Sequence, residues 1–205
     1  MSEHHDHHHD HDHDHAHAHE HGEVIDDEQG LDAEAEVRRQ LALAQIRQYG
    51  DPVLRMQAHE IGDVDDDVRR LVDRMTSLME DAQGVGLAAT QVGVLRRLFV
   101  FVNGDDGPQA VVNPTVVERA DETEPDEEGC LSLQGVKVPV ERSVRVVVEG
   151  LDANGKPVRH ELEDYTARVV QHELDHLDGV LIIDRTDDEH RKDALRILRP
   201  RVVLR

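Results

Sequence analysis

A chain of 205 residues is long enough to bury one core without disulfide staples, so a single domain is expected. The net charge of −22 is concentrated at one end: residues 1–36 hold thirteen acidic side chains and no Lys or Arg, and the rest carries 32 acids against 23 bases, a net of −9. A mildly acidic body excludes nucleic-acid binding over the whole surface, no stretch has the length of a membrane span, and a single cysteine excludes an internal disulfide. No DNA or membrane partner is therefore expected, and the chain reads as a monomer. A lone thiol, with neither a basic segment nor an apolar core of a signal peptide at the N-terminus, points to the cytoplasm.

Residues 1–30 form a low-complexity tail in which eleven of the sixteen histidines lie between His4 and His21. Such a run has nothing to bury and is expected to be disordered. Unconstrained imidazoles and carboxylates can hold several divalent ions weakly. Residues 31–45 read as a helical linker, with an acidic, Ala-rich helix from Asp32 to Gln45. A Gly50-Asp51-Pro52 turn then opens the main domain, 46–186. The clearest helix spans Asp65 to Gln83: Val68, Leu71, Val72, Met75, Leu78, Met79 and Ala82 follow the i, i+3, i+4 rule, and Asp65 to Asp67 are placed to cap its start.

Residues 96–103 and 110–118 read as short strands, the second broken by Asn113-Pro114. Val144 to Glu149 and Pro157 to Glu163 flank Asp152-Ala153-Asn154-Gly155, which has hairpin-turn chemistry. A helix from near Thr166 to Gly179 buries Val169, Val170, Leu174 and Leu177, and a last amphipathic helix runs from Asp187 to Leu198 within the C-terminal unit 187–205. Strands with a few segregated helices imply an α+β fold, a single domain with antiparallel or mixed sheets around a central helix.

That central helix carries Gln171 to Gly179, QHELDHLDG. At 3.6 residues per turn, His172 and His176 share one face, with Glu173 beside the first. Two imidazoles suit a divalent ion, and a carboxylate that is not itself a ligand can act as general base to water. Cys130 lies in a polar segment, Glu128 to Ser132 (EGCLS), that favours a ligating thiolate over a packed one. One Cys and two His leave a fourth position open, as catalytic sites do. Spacing alone does not bring Cys130 to the histidines.

Taken together, GVGLAATQ at Gly84–Gln91, EGCLS and QHELDHLDG resemble, in order and approximate spacing, the three signature motifs of the peptide deformylase family. RQYGDPVLR at 47–55 resembles its leading segment, so the likeness covers roughly residues 45–185. The resemblance implies metal-dependent removal of the N-formyl group from the formylmethionine of nascent bacterial polypeptides. It implies one ion, Fe(II) replaceable by Zn, Ni or Co, held by Cys130, His172 and His176. Glu173 is then the proton carrier between water and departing amine. The Gln91 side-chain amide and the Leu131 backbone N–H are the oxyanion donors.

Val85 and Gly129 are implied to hydrogen-bond an extended substrate, with Gly86 and Gly129 admitting its backbone closely. Val169 is a candidate for the methionine pocket, and Arg142 and Asp175 match charged positions near Glu128. Leu133-Gln134 departs from the family's usual aliphatic-proline pair, which bears on loop stiffness.

Two other readings compete. A zinc peptidase of the HExxH type would take its third ligand downstream of the helix rather than from Cys130. An inactive relative would store metal through its His-rich tail. The basic, amphipathic end of the chain, 191–205, is a candidate for ribosome contact.

Overall fold

The computed structural model describes residues 27–199. The His/Asp-rich segment 1–26 and residues 200–205, on which expectations of disorder and part of the proposed ribosome contact fall, lie outside them.

Helix α1 (Asp27–Leu43) begins five residues before its expected start. Its last residues, Ala42 and Leu43, join Ile46 in a buried cluster, so this end packs against the body of the fold. Helix α2 (Asp66–Asp81) forms for the reasons its sequence gives. The Asp65 side chain accepts from the Val68 N–H at 2.9 Å, and Val68, Val72, Met75, Leu78 and Met79 are buried.

Five strands follow into one sheet, β1 (Gly86–Ala88), β2 (Leu98–Val102), β3 (Pro108–Arg119), β6 (Arg145–Leu151) and β7 (Pro157–Glu163), in the order β1-β2-β3-β6-β7. A separate hairpin joins β4 (Thr123–Gly129) to β5 (Lys137–Ser143). Every paired strand is antiparallel, so the mixed alternative is set aside; the only parallel pairing among the described residues is the isolated bridge His59 to Arg96.

Strand β2 reads LFVFV without alternation because both of its faces are covered. Leu98 and Val100 point into the cluster with α2, while Phe99 and Phe101 pack with Val146, Val148 and Leu162 beneath helix α3 (Asp164–Leu177). The anticipated irregularity at Asn113 is present: its φ is +50, the register shifts between Val112 and Thr115, and its side chain bonds the Ile61 backbone on both sides. The β6–β7 turn has Gly155 at φ +79, and the Asp152 carboxylate accepts from the N–H groups of Asn154 and Lys156.

Strand β4, reading TEPDEEG, was not anticipated, nor was β5. An acidic run containing proline has no strand propensity of its own; pairing along all seven positions with β5 supplies the order. Glu128 and Gly129 therefore end a strand rather than begin a polar turn. Helix α3 starts at Asp164, two residues before the expected position, and every residue from Ala167 to Leu177 is buried. It packs against strands of both sheets. A single turn, α4 (Ile182–Arg185), and α5 (Asp188–Leu198) close over β5 through Ile182, Ile183 and Ala194.

Candidate metal centre and substrate cleft

Two of the three sequence-predicted ligands leave α3 one turn apart, and the third comes from the segment just after β4. Sγ of Cys130 lies 3.2 Å from Nε2 of His176, which lies 3.2 Å from Nε2 of His172. One ligand atom from each residue falls within 4.8 Å of the others. Three soft or borderline donors facing one point, with no fourth protein ligand grouped with them among the described residues, fit a single divalent ion with an open position.

The ring of His172 is set by its other nitrogen, Nδ1, 3.0 Å from Glu128 Oε2. Glu128 is buried and receives the fork of Arg142 through Nε at 2.8 Å and Nη2 at 2.9 Å, and Nη1 of Arg168 at 2.9 Å. Arg142 also donates to Asp175 at 2.5 Å, which in turn accepts two bonds from Arg185. The match of Arg142 and Asp175 to a charged layer behind the ligands thus corresponds to a buried network and not to a surface ion pair.

Arg168, Arg185 and Gln171 belong to the same layer and were missed. Gln171 left a signal as the first residue of QHELDHLDG, and Arg168 by lying four residues before His172 on the helix.

These contacts separate the titrations. Burial would raise the Glu128 carboxyl, but hydrogen bonds from Arg142 and His172 and the Arg142 charge hold it at about 2. Burial pushes both histidines down. His172 nevertheless ends well above its ordinary value, through its bonds to Cys130 and Glu128 and the charges of Cys130 and Glu173. His176 ends well below, through burial and the His172 and Arg142 charges; its Nδ1 is buried without a partner. Glu173 is raised to about 7, by burial first, against the opposing charge of His172.

Glu173 Oε2 is also buried without a hydrogen-bond partner. Its carboxylate occupies the space beside Gly86, where a methyl would run into Oε1 and sit 2.9 Å from Cδ. The missing side chain at Gly86 therefore leaves room for the protein's own glutamate. At Gly129 an added methyl would meet nothing closer than 3.8 Å, which leaves that position open to the cleft. The Val85 carbonyl accepts from the Val102 N–H at 2.9 Å, while the Val85 N–H has no hydrogen-bond partner among the described residues.

Gln91 sits in the 3₁₀ turn Ala89–Val92 and is 2% exposed. Its Oε1 accepts from the Ala88 N–H at 2.8 Å, which turns Nε2 toward Ser132 Oγ at 3.1 Å and Cys130 Sγ at 3.7 Å. The Leu131 N–H has no hydrogen-bond partner among the described residues, while its carbonyl accepts a side-chain bond. Both donors border a cleft of about 550 Å³ that is lined also by Val85, Gly86, Gly129, Cys130, Val169, His172 and Glu173. The structure thus brings all nine predicted site residues to one cleft or its metal cluster, and Val169 lines it as suggested.

Residues 43–192 match the family model for polypeptide deformylase. A peptide deformylase of Acidothermus cellulolyticus is 48% identical over 160 residues, covering 78% of this chain and 87% of that protein. The crystal structure of peptide deformylase from Thermotoga maritima, 48% identical, superposes with a TM-score of 0.67 over 69% of this chain and 96% of that one. That of the Ehrlichia chaffeensis enzyme in complex with actinonin, 34% identical, gives 0.71 over 74% and 93%. This chain belongs to the polypeptide deformylase family.

Proposed function

We propose that the chain hydrolyses the N-formyl group of formylmethionyl nascent polypeptides and releases formate. The observation that carries this reading is the convergence of Cys130, His172 and His176 with Glu173 and Gln91 on one cleft, in a chain of this family. A divalent ion on the three ligands would supply Lewis-acid polarisation of the formyl oxygen and acidify water. Fe(II) is the ion we assign, with Zn, Ni or Co able to replace it, since the donor set admits all four.

Glu173 holds the proton. As a carboxylate it would take one from water and, as the acid so formed, return it to the leaving amine; its carboxyl is raised to about 7, and Gly86 leaves the space in which this happens. Gln91 Nε2 and the Leu131 N–H stand ready for the oxygen that becomes negative as the carbonyl turns tetrahedral. Gly129 and the Val85 N–H align the peptide, and Val169 borders the methionine side chain.

The peptidase reading asked for a ligand downstream of α3; Cys130, upstream, takes that place in the cluster. Formate release from formyl-Met-Ala-Ser by protein loaded with Fe(II) under reducing conditions tests the activity. No release with metal bound sinks it.

We assign the reaction to the cytoplasm, where chains are made and a thiolate ligand stays reduced, and to a monomer. The His-rich segment 4–21 we assign to holding ions for the centre. Equal metal occupancy of full-length and tail-deleted protein under limiting metal refutes that. Contact of the basic end with the ribosome is tested by co-sedimentation after truncation at Asp184; unchanged binding removes it.

A further inference from the structure

An oxyanion hole works only if its donors are held in place before charge develops, because reorienting them during the reaction would cost what they contribute. The Gln91 amide is fixed by the Ala88 N–H. What fixes Leu131 is found elsewhere, in residues 47–49.

The Arg47 N–H donates to the Gln91 carbonyl at 2.7 Å, and the Tyr49 N–H to the Ser132 carbonyl at 2.8 Å. Between them, Gln48 Nε2 donates to the Leu131 carbonyl at 3.1 Å and to the Ile46 carbonyl at 3.1 Å. Gln48 Oε1 accepts from Gln134 Nε2 at 3.1 Å. Flipping the Gln48 amide would break all three bonds, so its orientation is determined.

With the Cys130 carbonyl taken by the Leu133 N–H at 3.0 Å, three successive carbonyls, of Cys130, Leu131 and Ser132, are each tied down. The Leu131 N–H, between the Cys130 and Leu131 carbonyls in the chain, has no hydrogen-bond partner among the described residues. Arg47 is itself seated, its Nε 2.8 Å from where a Cβ on Gly93 would be.

We propose that Arg47-Gln48-Tyr49 is a clasp that sets the separation of the two oxyanion donors, with Gln48 as the positioning residue and Gln134 orienting its amide. This rests on the deformylase reading of the cleft. Gln48 touches neither metal ligand nor reacting atoms in this arrangement; it acts through the Leu131 carbonyl, in the peptide unit that follows the one carrying the Leu131 N–H. A donor that matters only as the carbonyl turns tetrahedral raises kcat without tightening substrate binding.

The test uses the full chain loaded with Fe(II) and formyl-Met-Ala-Ser, comparing wild type, Gln48→Met, Gln134→Met and the double variant for kcat, KM, Tm and metal content. Gln48→Met should lower kcat about tenfold, a fraction of the loss of a whole donor, with KM within about twofold and metal content unchanged. Gln134→Met should lower kcat by a smaller factor and add nothing to Gln48→Met, because it acts through the same amide. A wild-type kcat in Gln48→Met, or fully additive effects, overturns the clasp while leaving the activity intact. Should Gln48→Met fail to fold, an unchanged kcat in Gln134→Met, which alters an exposed residue, overturns it as well. Inactive metal-loaded wild type overturns the activity itself.

Discussion

Glu173 shows what the site costs the fold. Its carboxyl is raised from 4.5 to about 7, mainly by burial. Between those values the folded protein holds a proton that the unfolded chain releases, so stability falls as pH rises through that window. Glu173→Gln stays neutral throughout. In the metal-free protein it should gain up to about 3 kcal/mol over wild type at pH 8, the gain vanishing below pH 4.5, as urea unfolding at a series of pH values would read. Its deformylase activity should be lost.

Gly86→Ala makes the complementary statement. The added methyl overlaps the glutamate and must displace it. The rate of formate release should drop at least about tenfold while metal content stays near wild type, since none of the three ligands is touched. An active Gly86→Ala protein would contradict the placement of Glu173. At this scale the sequence was readable where a side chain declares its chemistry, as Cys130, His172 and His176 do, while Gln91 was marked only by the family resemblance. It was silent on the contact between Gly86 and Glu173, because a glycine does not announce which neighbour needs its space.

Among the elements, α3 and the β4–β5 hairpin depend on one another. The hairpin has little apolar surface on β4, where only Glu128 is buried, and Arg142 on β5 binds it to α3 through Glu128 and Asp175. Removing one partner of a buried ion pair typically costs about 3–5 kcal/mol, because the other charges stay buried and unpaired. Arg142→Met should therefore destabilise the fold by that order in chemical denaturation. It should also weaken metal affinity by about 10- to 100-fold in a chelator competition, since Glu128 would no longer be held against His172.

The helices were legible because α2 and α3 carry a 3.6-residue pattern and recognisable ends, Asp65 and Gly179. Strand β4 was not, since its order comes from β5 and from the arginines behind it rather than from its own residues.

Over the whole molecule, carboxylates that are depressed in the folded state set its response to acid. Burial would raise Glu128, yet Arg142 and His172 hold it at about 2. Asp184 is lowered by Arg55 and the Leu181 N–H against burial, and Asp152 by the Lys156 and Asn154 N–H groups. Each contributes stability that is full above its unfolded value and is lost as pH falls through the folded one. The far-ultraviolet circular dichroism signal should hold at pH 5 and collapse between about pH 4.5 and 2, with Glu128→Gln losing the steepest part of that dependence. A transition that starts above pH 5 would mean that other groups control it.

The sequence by itself determined the α+β class, the helix that presents His172 and His176 on one face, and the three motifs that mark the family, because these are local patterns carried by consecutive residues. Only the tertiary structure decided that Cys130 meets the histidines, that Glu128, Arg142 and Asp175 form a buried layer behind them, and that residues 47–49 tie the segments of Gln91 and Leu131 together. Those contacts join residues tens of positions apart, and their geometry is fixed by how the sheets and α3 pack, which no local pattern specifies.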